Sequence, residues 1–233
     1  MQIKTAYEDE NVLIVDKPAG IIVFPEEPSE IKTFIDYVVE AFPYIKDVGD
    51  PPRYGIVHRI DKDTSGILII AKNNKEFEFL QKQFKERKIE KKYTALAVGE
   101  IKSNSGEIET LIGRSPKDRR KQKVFLINDP KAQGKRIALT QYTVLKRFKG
   151  HTLCEVSIKT GRKHQIRAHF SYIGHPLAGD KLYGFKGQSK LKRQFLHASY
   201  VKIQSIDNKE IEVSIELPED LKEIIKNIKE YDN

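Results

Sequence analysis

Side chains that can do chemistry are concentrated between two short apolar runs, in the stretch His58-Arg59-Ile60-Asp61-Lys62-Asp63-Thr64-Ser65-Gly66. The stretch holds two carboxylates, and an ionised carboxylate can act as a nucleophile or as a general base. The aliphatic and β-branched residues on either side predict two strands that meet at this polar, glycine-containing turn. We therefore expect Asp61 to lie at the edge of a sheet.

Three other interpretations start from the same residues. Asp61, Asp63, Ser65 and Gly66 have the spacing that opens a calcium-binding loop, but the twelfth position is Lys72 instead of Glu, and the flanking runs predict strands rather than helices. Ser65 as the nucleophile of a hydrolase lacks the Gly-x-Ser-x-Gly pattern. The simplest alternative is that the two Asp residues only cap a turn.

Three separated segments resemble the RluA-type family of pseudouridine synthases. The segment from His58 to Gly66 is similar to the catalytic loop of that family, His-Arg-Leu-Asp-x-x-Thr-Ser-Gly, with Ile60 in place of Leu. Lys92-Tyr93-x-Ala95 and Gly161-Arg162-Lys163-His164-Gln165-Ile166-Arg167 follow in the family's order. Lys163 stands where Thr or Ser is commoner, and neither departure changes a residue with a chemical role. The resemblance extends from about residue 8 to residue 217.

The resemblance implies a fold and an activity. The expected fold is α/β (α+β): a single catalytic domain over residues 1–233, with a mixed, largely antiparallel sheet split by an active-site cleft and flanked by helices. Members of the family isomerise specific uridines of ribosomal or transfer RNA to pseudouridine on a flipped-out nucleotide, and they use no cofactor and no metal. Many also carry an S4-type RNA-binding domain ahead of the catalytic one. Because the Lys17-Pro18 motif starts so early in this sequence, we expect no separate N-terminal RNA-binding domain.

The resemblance also assigns roles to individual residues. Asp61 is the expected catalytic carboxylate, which would attack C1′ of the ribose or remove a proton from C2′. Arg167 would keep that carboxylate ionised when RNA buries it, and Arg162 is the alternative. Tyr93 would lie against the target uracil, and its hydroxyl, with an ordinary pKa near 10, would be a poor base. Arg59 would enter the space left by the flipped nucleotide, unless it forms a structural salt bridge.

The distribution of charge favours an RNA partner. Lys and Arg number 42 against 33 Asp and Glu, which gives a net charge of +9, and cations that meet phosphates release condensed counterions. The densest cationic stretch, about 113–124, is expected to be a flexible loop that becomes ordered on RNA, and a second loop at about 129–135 would oppose it. A solvated, disordered loop is the alternative. The predicted RNA-binding residues are Arg59, Arg114, Lys117, Arg119, Arg120, Lys121, Lys123 and Arg162.

The remaining patterns predict supporting elements. Apolar runs favour strands at 11–16 and 21–24, and helical spacing favours helices at 31–42, from a cap at Asn73, and at 161–173. The single Cys154 is expected to be buried in a reducing compartment. Because no signal peptide and no apolar run of 18 residues occurs, we expect a soluble, cytoplasmic protein. A monomer is the expected oligomeric state. A noncatalytic RNA-binding protein on the same fold remains the alternative function.

Overall fold

The computed structural model of the chain describes residues 1–25, 30–185 and 191–228. These residues form ten strands and four helices. The strands are β1 (Lys4–Glu8), β2 (Val12–Lys17), β3 (Ser65–Ala71), β4 (Glu90–Val98), β5 (Ser105–Arg114), β6 (Gln122–Phe125), β7 (Arg136–Phe148), β8 (His151–Ile158), β9 (Leu196–Gln204) and β10 (Glu210–Ser214). The helices are α1 (Phe34–Ala41), α2 (Asn74–Glu86), α3 (Gln165–Tyr172) and α4 (Glu219–Asn227).

The chain forms two compact units. The first contains Met1–Lys91 and Ala198–Glu216, and the second contains Lys92–His197 and the residues from Leu217 onward. Asp61 and Arg59 therefore belong to the first unit, whereas Tyr93, Arg167 and the cationic stretch belong to the second. The expected organisation as one catalytic domain stays a prediction.

The strands of the first unit follow the order β1-β2-β3-β9-β10. β2 is antiparallel to both β1 and β3, and β10 is antiparallel to β9. Every residue of β3 is buried, and five of the six residues of β2 are buried. Near-continuous apolar runs of this kind are typical of strands that are covered on both faces.

Both helices of the first unit begin at capping residues. Thr33 forms a capping box with Asp36 at the start of α1, whose inward face is apolar and buried. Asn73 caps α2 as predicted, because its Oδ1 accepts a hydrogen bond from the N–H of Glu76 at 2.9 Å. α2 ends at Glu86, and the following Arg87 has a left-handed conformation (φ 60°). The predicted helices at 31–42 and after Asn73 are thus present, the first in a shorter form.

The strands of the second unit follow the order β4-β8-β7-β5-β6, and each adjacent pair is antiparallel. Burial alternates strictly along β8, and Cys154 is fully buried in it, as expected from the sequence. Leu221 of α4 packs in a cluster with Leu96, Phe148 and Phe195. The expected α+β class with largely antiparallel strands is confirmed.

Three predicted elements differ from the structure. Residues 21–24 form no strand, because the carbonyls of Ile22 and Val23 accept hydrogen bonds from the first N–H groups of α1. Residues 54–58 form only an isolated bridge, between Ile56 and Ile70. The helix expected at 161–173 begins at Gln165, since the preceding residue, His164, has a left-handed conformation (φ 55°) that a helix cannot include.

Candidate active site

Asp61 lies in a short irregular loop that leads directly into β3. The N–H of Thr64 donates to the carbonyl oxygen of Asp61 at 3.1 Å and closes a turn there, and the neighbouring Ile60 is buried. The Asp61 side chain is itself partly exposed. The loop thus combines a fixed backbone with a carboxylate that solvent reaches.

A buried lysine holds this loop. Lys17, at the end of β2, has no exposed surface, and its Nζ donates to the carbonyl oxygens of Pro18 at 2.8 Å, Ile21 at 2.9 Å and Lys62 at 3.2 Å. The N–H of Gly20 also donates to the Lys62 carbonyl, at 2.9 Å. Because Lys62 follows Asp61, both bonds fix the loop next to the carboxylate.

His58 acts at the other end of the loop. Its Nε2 accepts a hydrogen bond from the N–H of Ile69 in β3 at 3.0 Å, and its ring stacks on Phe84 of α2 with centroids 5.1 Å apart. Burial, aided by the charge of Lys91, lowers the pKa of His58 to about 3. The ring is therefore neutral near pH 7, as a hydrogen-bond acceptor at Nε2 must be.

Arg59 is exposed and lies over an aromatic ring. Its guanidinium carbon is 5.2 Å from the centroid of Phe24, and that of Arg53 is 5.0 Å from the same ring. Such cation–π contacts are worth about 0.5–1 kcal/mol at exposed sites, so they constrain Arg59 weakly. Whether Arg59 enters the RNA or forms a salt bridge remains a prediction.

Tyr93 is the fourth residue of β4 and lies opposite Val156 of β8. The tyrosine is 7% exposed. The preceding Lys92 forms an ion pair with Glu155 at 3.2 Å. Cross-strand pairs on both sides of the pleat therefore fix the direction of the Tyr93 side chain, while its contact with a uracil stays a prediction.

Arg167 on α3 is held by Asp180. Its Nε donates to Asp180 Oδ2 at 2.7 Å and its Nη2 donates to Asp180 Oδ1 at 3.0 Å. Both side chains are buried, at 8% and 0% exposure. Burial by itself would raise the pKa of Asp180, but hydrogen bonds and charge from Arg167 keep that pKa below its usual range. The pair is thus a charged, bidentate one.

Tyr183 connects Arg167 with the cationic stretch. The Arg167 guanidinium carbon lies 5.1 Å from the centroid of the Tyr183 ring. The Tyr183 hydroxyl oxygen accepts a hydrogen bond from the N–H of Gln122, the first residue of β6, at 2.6 Å. It also lies 3.0 Å from His164 Nδ1. One side chain therefore contacts the arginine, the residue before α3 and the start of β6.

A buried polar network fixes the turn before α3. Gln165 receives a hydrogen bond from Thr160 Oγ1 at 2.8 Å and donates from Nε2 to Thr140 Oγ1 at 3.0 Å. Thr140 Oγ1 lies 2.9 Å from His169 Nδ1, and His169 Nε2 lies 2.9 Å from Thr110 Oγ1. Burial lowers the pKa of His169 to about 4, which keeps the ring neutral.

The same network extends to Arg162. The N–H of Arg162 donates to Gln165 Oε1 at 3.0 Å, so it is already satisfied within the protein. Arg162 also donates from Nε to the carbonyl oxygen of Ile137 at 3.0 Å. This turn is therefore built from internal hydrogen bonds.

The cationic stretch has a defined conformation between β5 and β6. The N–H of Ser115 donates to the carbonyl oxygen of Lys121 at 3.0 Å, which closes the connection. Asp118 pairs with Arg120 through both carboxylate oxygens, at 3.0 and 2.9 Å. These hydrogen bonds close the connection, while its expected flexibility and its ordering on RNA stay predictions. The exposed cations of the stretch are Arg114, Lys117, Arg119, Arg120 and Lys123.

The second loop, at about 129–135, contains a short 3-10 helix, Pro130–Ala132. Asp129 caps it by accepting a hydrogen bond from the N–H of Lys131 at 2.8 Å. Its predicted contact with RNA stays a prediction.

Sequence reasoning missed Asp180, Tyr183 and the role of His58. The stretch Gly179-Asp-Lys-Leu-Tyr-Gly184 is a polar turn that resembles the same family, but the sequence assigned no role to its Asp or its Tyr. That resemblance was the available signal, because the contacts of Asp180 and Tyr183 with Arg167 of α3 exist only in the tertiary fold. Among the residues that the structure describes, no group of three or more metal-ligating side chains is suited to a metal ion. None of the described helices has the length and apolarity needed to cross a membrane.

Comparison with known proteins shows which family contains these residues. A family described as RNA pseudouridylate synthase matches residues 11–172. This range includes Asp61, Tyr93 and Arg167.

Two relatives illustrate the similarity in sequence. An RNA pseudouridine synthase of Aquifex aeolicus, described as uncharacterized, is 44% identical over 189 residues, which cover 80% of this chain and 58% of the relative. The "Ribosomal large subunit pseudouridine synthase D" of Pseudomonas aeruginosa is 35% identical over 216 residues, covering 87% and 64%. The chain therefore spans less than two thirds of the length of these two relatives.

A solved structure shows the similarity in fold. "Human RNA Pseudouridylate Synthase Domain Containing 1" matches with a TM-score of 0.77 and 26% identity, covering 93% of this chain and 84% of the human one.

Proposed function

The chain belongs to the RNA pseudouridylate synthase family, and we propose that it isomerises uridine in RNA to pseudouridine. The observation that carries the proposal is the family match over residues 11–172. It is supported by the similarity to relatives named as pseudouridine synthases. Because one of them is named for the large ribosomal subunit, ribosomal RNA is the substrate to test first, and transfer RNA the second.

The proposed reaction breaks the bond from uracil N1 to ribose C1′, turns the base and forms a bond from C5 to C1′. The proton leaves C5 and N1 gains one, so no oxidant or energy source is needed. The target nucleotide must leave the RNA stack, which costs a few kcal/mol. Stacking on Tyr93 would return about 1–3 kcal/mol.

Asp61 is the proposed catalytic residue. Its carboxylate attacks C1′ or removes a proton from C2′, and both routes require the ionised form. Arg167 is the proposed counter-ion that keeps Asp61 ionised under bound RNA. Three features support these roles: the similarity of the His58–Gly66 segment to the family loop, the partly exposed position of Asp61 and the buried guanidinium of Arg167.

The principal test compares two carboxylates of one loop. Ribosomal and transfer RNA are incubated with the wild type, with Asp61→Asn and with the matched control Asp63→Asn, and pseudouridine is mapped and tritium release from [5-³H]uridine is measured. We expect the rate of pseudouridine formation to fall at least about 1,000-fold in Asp61→Asn, while RNA affinity stays within about threefold of the wild type. Loss of the nucleophile or base lowers the rate of the chemical step far more than it lowers RNA affinity. Asp63→Asn should keep its activity within about tenfold.

Two results would decide against the proposal. Turnover by Asp61→Asn would remove that residue from the chemistry. A wild type that binds both RNAs but forms no pseudouridine would instead favour the noncatalytic RNA-binding alternative.

A second test separates the two possible roles of Tyr93. Tyr93→Phe keeps a ring that can stack on uracil but lacks the hydroxyl, and Tyr93→Ala lacks both. We expect the Phe variant to retain measurable tritium release and the Ala variant to lose it, since stacking is the proposed role. An inactive Phe variant with unchanged RNA affinity would make the hydroxyl a participant in proton transfer.

RNA contact by the cationic stretch is proposed from its exposed charges. Each phosphate contact contributes about 0.7–0.9 to the slope of log K against log salt concentration. We expect the triple variant Lys117→Gln, Arg119→Gln, Lys123→Gln to lower that slope by about 2. The matched control changes three exposed lysines of the region of α2, in Lys82→Gln, Lys85→Gln, Lys88→Gln, and should leave the slope unchanged. Equal slopes for all three proteins would place the RNA elsewhere.

A further inference from the structure

We propose that Asp180 is a positioning residue that fixes the orientation of the Arg167 guanidinium for the pseudouridine-forming reaction. The inference rests on the proposed function and adds a residue outside the matched range, which ends at residue 172. Asp180 acts through Arg167 and needs no contact with RNA.

The geometry of the pair restricts the arginine on one edge. Asp180 engages Nε and Nη2, at 2.7 and 3.0 Å. A guanidinium carries five N–H groups, and this bidentate pairing uses two of them. Rotation about the last bonds of the Arg167 side chain would break both charge-assisted bonds at once. The hydrogens of Nη1 and the second hydrogen of Nη2 therefore keep a fixed direction.

Asp180 is itself held rigidly. Its Oδ1 accepts hydrogen bonds from the N–H groups of Leu182 at 2.9 Å and Tyr183 at 3.0 Å. The preceding Gly179 has φ +75°, and a Cβ there would lie 2.0 Å from the carbonyl oxygen of Arg193. Only glycine fits this position, and the turn that carries Asp180 therefore packs directly against the backbone of Arg193.

Tyr183 extends the same arrangement to the predicted RNA-binding stretch. Its ring lies beside the Arg167 guanidinium, and its hydroxyl accepts a hydrogen bond from Gln122 at the start of β6. The arginine is thus restrained on its edge by a carboxylate and on its face by a ring. Positioning of this kind matters because displacement of a reacting group by about 1 Å can cost about 100-fold in rate.

The chain offers a matched control for the Asp180–Arg167 pair. Arg193 and Asp220 form a pair in the same unit through the same guanidinium edge, at 2.7 and 3.1 Å. The Asp220 side chain is 55% exposed, and neither residue has a proposed role in the reaction. Asp220→Asn should leave kcat and KM unchanged.

The kinetic test uses Asp180→Asn, Arg167→Lys and the double variant on the RNA that the wild type modifies, at a temperature where each is folded. We expect kcat to fall at least tenfold in Asp180→Asn while KM changes less than threefold, because the arginine loses its orientation and the RNA-binding surface remains. In the Arg167→Lys background the same change should cause no further loss, since a residue that acts only through Arg167 is then without effect. Asp180→Glu, which restores the charge, should recover part of kcat.

A spectroscopic measurement tests the Asp180–Arg167 pair independently of activity. The ¹⁵N–¹H resonance of Arg167 Nε should exchange slowly with solvent in the wild type and in Asp220→Asn, and rapidly in Asp180→Asn. The inference is overturned by a kcat of Asp180→Asn within twofold of the wild type, by an added loss in the double variant, or by rapid exchange in the wild type. A wild type without activity on any RNA overturns the proposed function, and the resonance then still decides whether Asp180 fixes Arg167.

Discussion

The segments that carry Asp61 and Arg167 are held in different ways. Lys17 and His58 fix the Asp61 loop by bonding to backbone atoms of Lys62 and Ile69. The turn before α3 and Arg167 are instead fixed by bonds between side chains, in which Gln165, Thr140, His169 and Asp180 take part.

This difference predicts which substitutions each segment tolerates. A backbone carbonyl is present whatever residue occupies the loop, so the Asp61 loop depends mainly on two anchors. In the side-chain network each hydroxyl and amide serves two partners, and the loss of one leaves a buried group unsatisfied. Three changes in stability test this contrast.

The largest expected effect follows Lys17→Met. The substitution keeps the length of the side chain and removes the ammonium that satisfies three carbonyls. We expect the free energy of unfolding to fall by about 2–4 kcal/mol, since unsatisfied buried acceptors cost about 1–3 kcal/mol each and the desolvation of the ammonium is regained. Lys4→Met, which removes an exposed ion pair with Asp16, should change it by less than about 0.5 kcal/mol. Equal effects in urea unfolding would remove Lys17 as an anchor.

A smaller effect is expected for Thr140→Val in the side-chain network. Valine has nearly the same shape but cannot bond Gln165 or His169. The free energy of unfolding should fall by about 1–2 kcal/mol. Thr143 lies in the same strand and is exposed, so Thr143→Val should change it by less than about 0.5 kcal/mol. A neutral Thr140→Val would show that the network adds no stability.

The smallest expected effect is a loss of stability at acid pH, which should be similar for the two segments. The pKa values of His58 and His169 are lowered to about 3 and about 4, whereas unfolded histidines titrate near 6.5. Between pH 6.5 and about 4 the unfolded chain therefore binds more protons, and the free energy of unfolding falls as the pH falls. This contribution is fully present above pH 6.5.

Each histidine is tested by replacement with glutamine. His58→Gln and His169→Gln should each reduce the loss of stability between pH 6.5 and 5.5, by about 1 kcal/mol, as measured by urea unfolding across that range. A pH dependence that stays unchanged in both variants would place the acid sensitivity on other groups.

Much of the fold was predictable from local pattern. The apolar runs predicted β2, β3 and the helices at 31–42 and after Asn73, because burial on one or two faces leaves a period in the sequence. The strand expected at 21–24 was wrong for a reason outside its own sequence. Its carbonyls bond to the first N–H groups of α1, and no local pattern reveals that partner.

The candidate site was predictable where it depends on residue type within a short segment. The sequence singled out Asp61, Tyr93 and Arg167 from three segments. It assigned the turn that holds Asp180 and Tyr183 no chemical role.

The sequence by itself determined the family, the strand and helix periods and the carboxylate at the edge of β3, since each is encoded in residues close together along the chain. The tertiary structure alone decided which groups hold them: Lys17 against Lys62, His58 against Ile69 and Asp180 against Arg167. These pairs join residues 11 to 45 positions apart, and a hydrogen bond requires atoms to lie within about 3 Å of each other. Only the folded chain brings such groups to that distance.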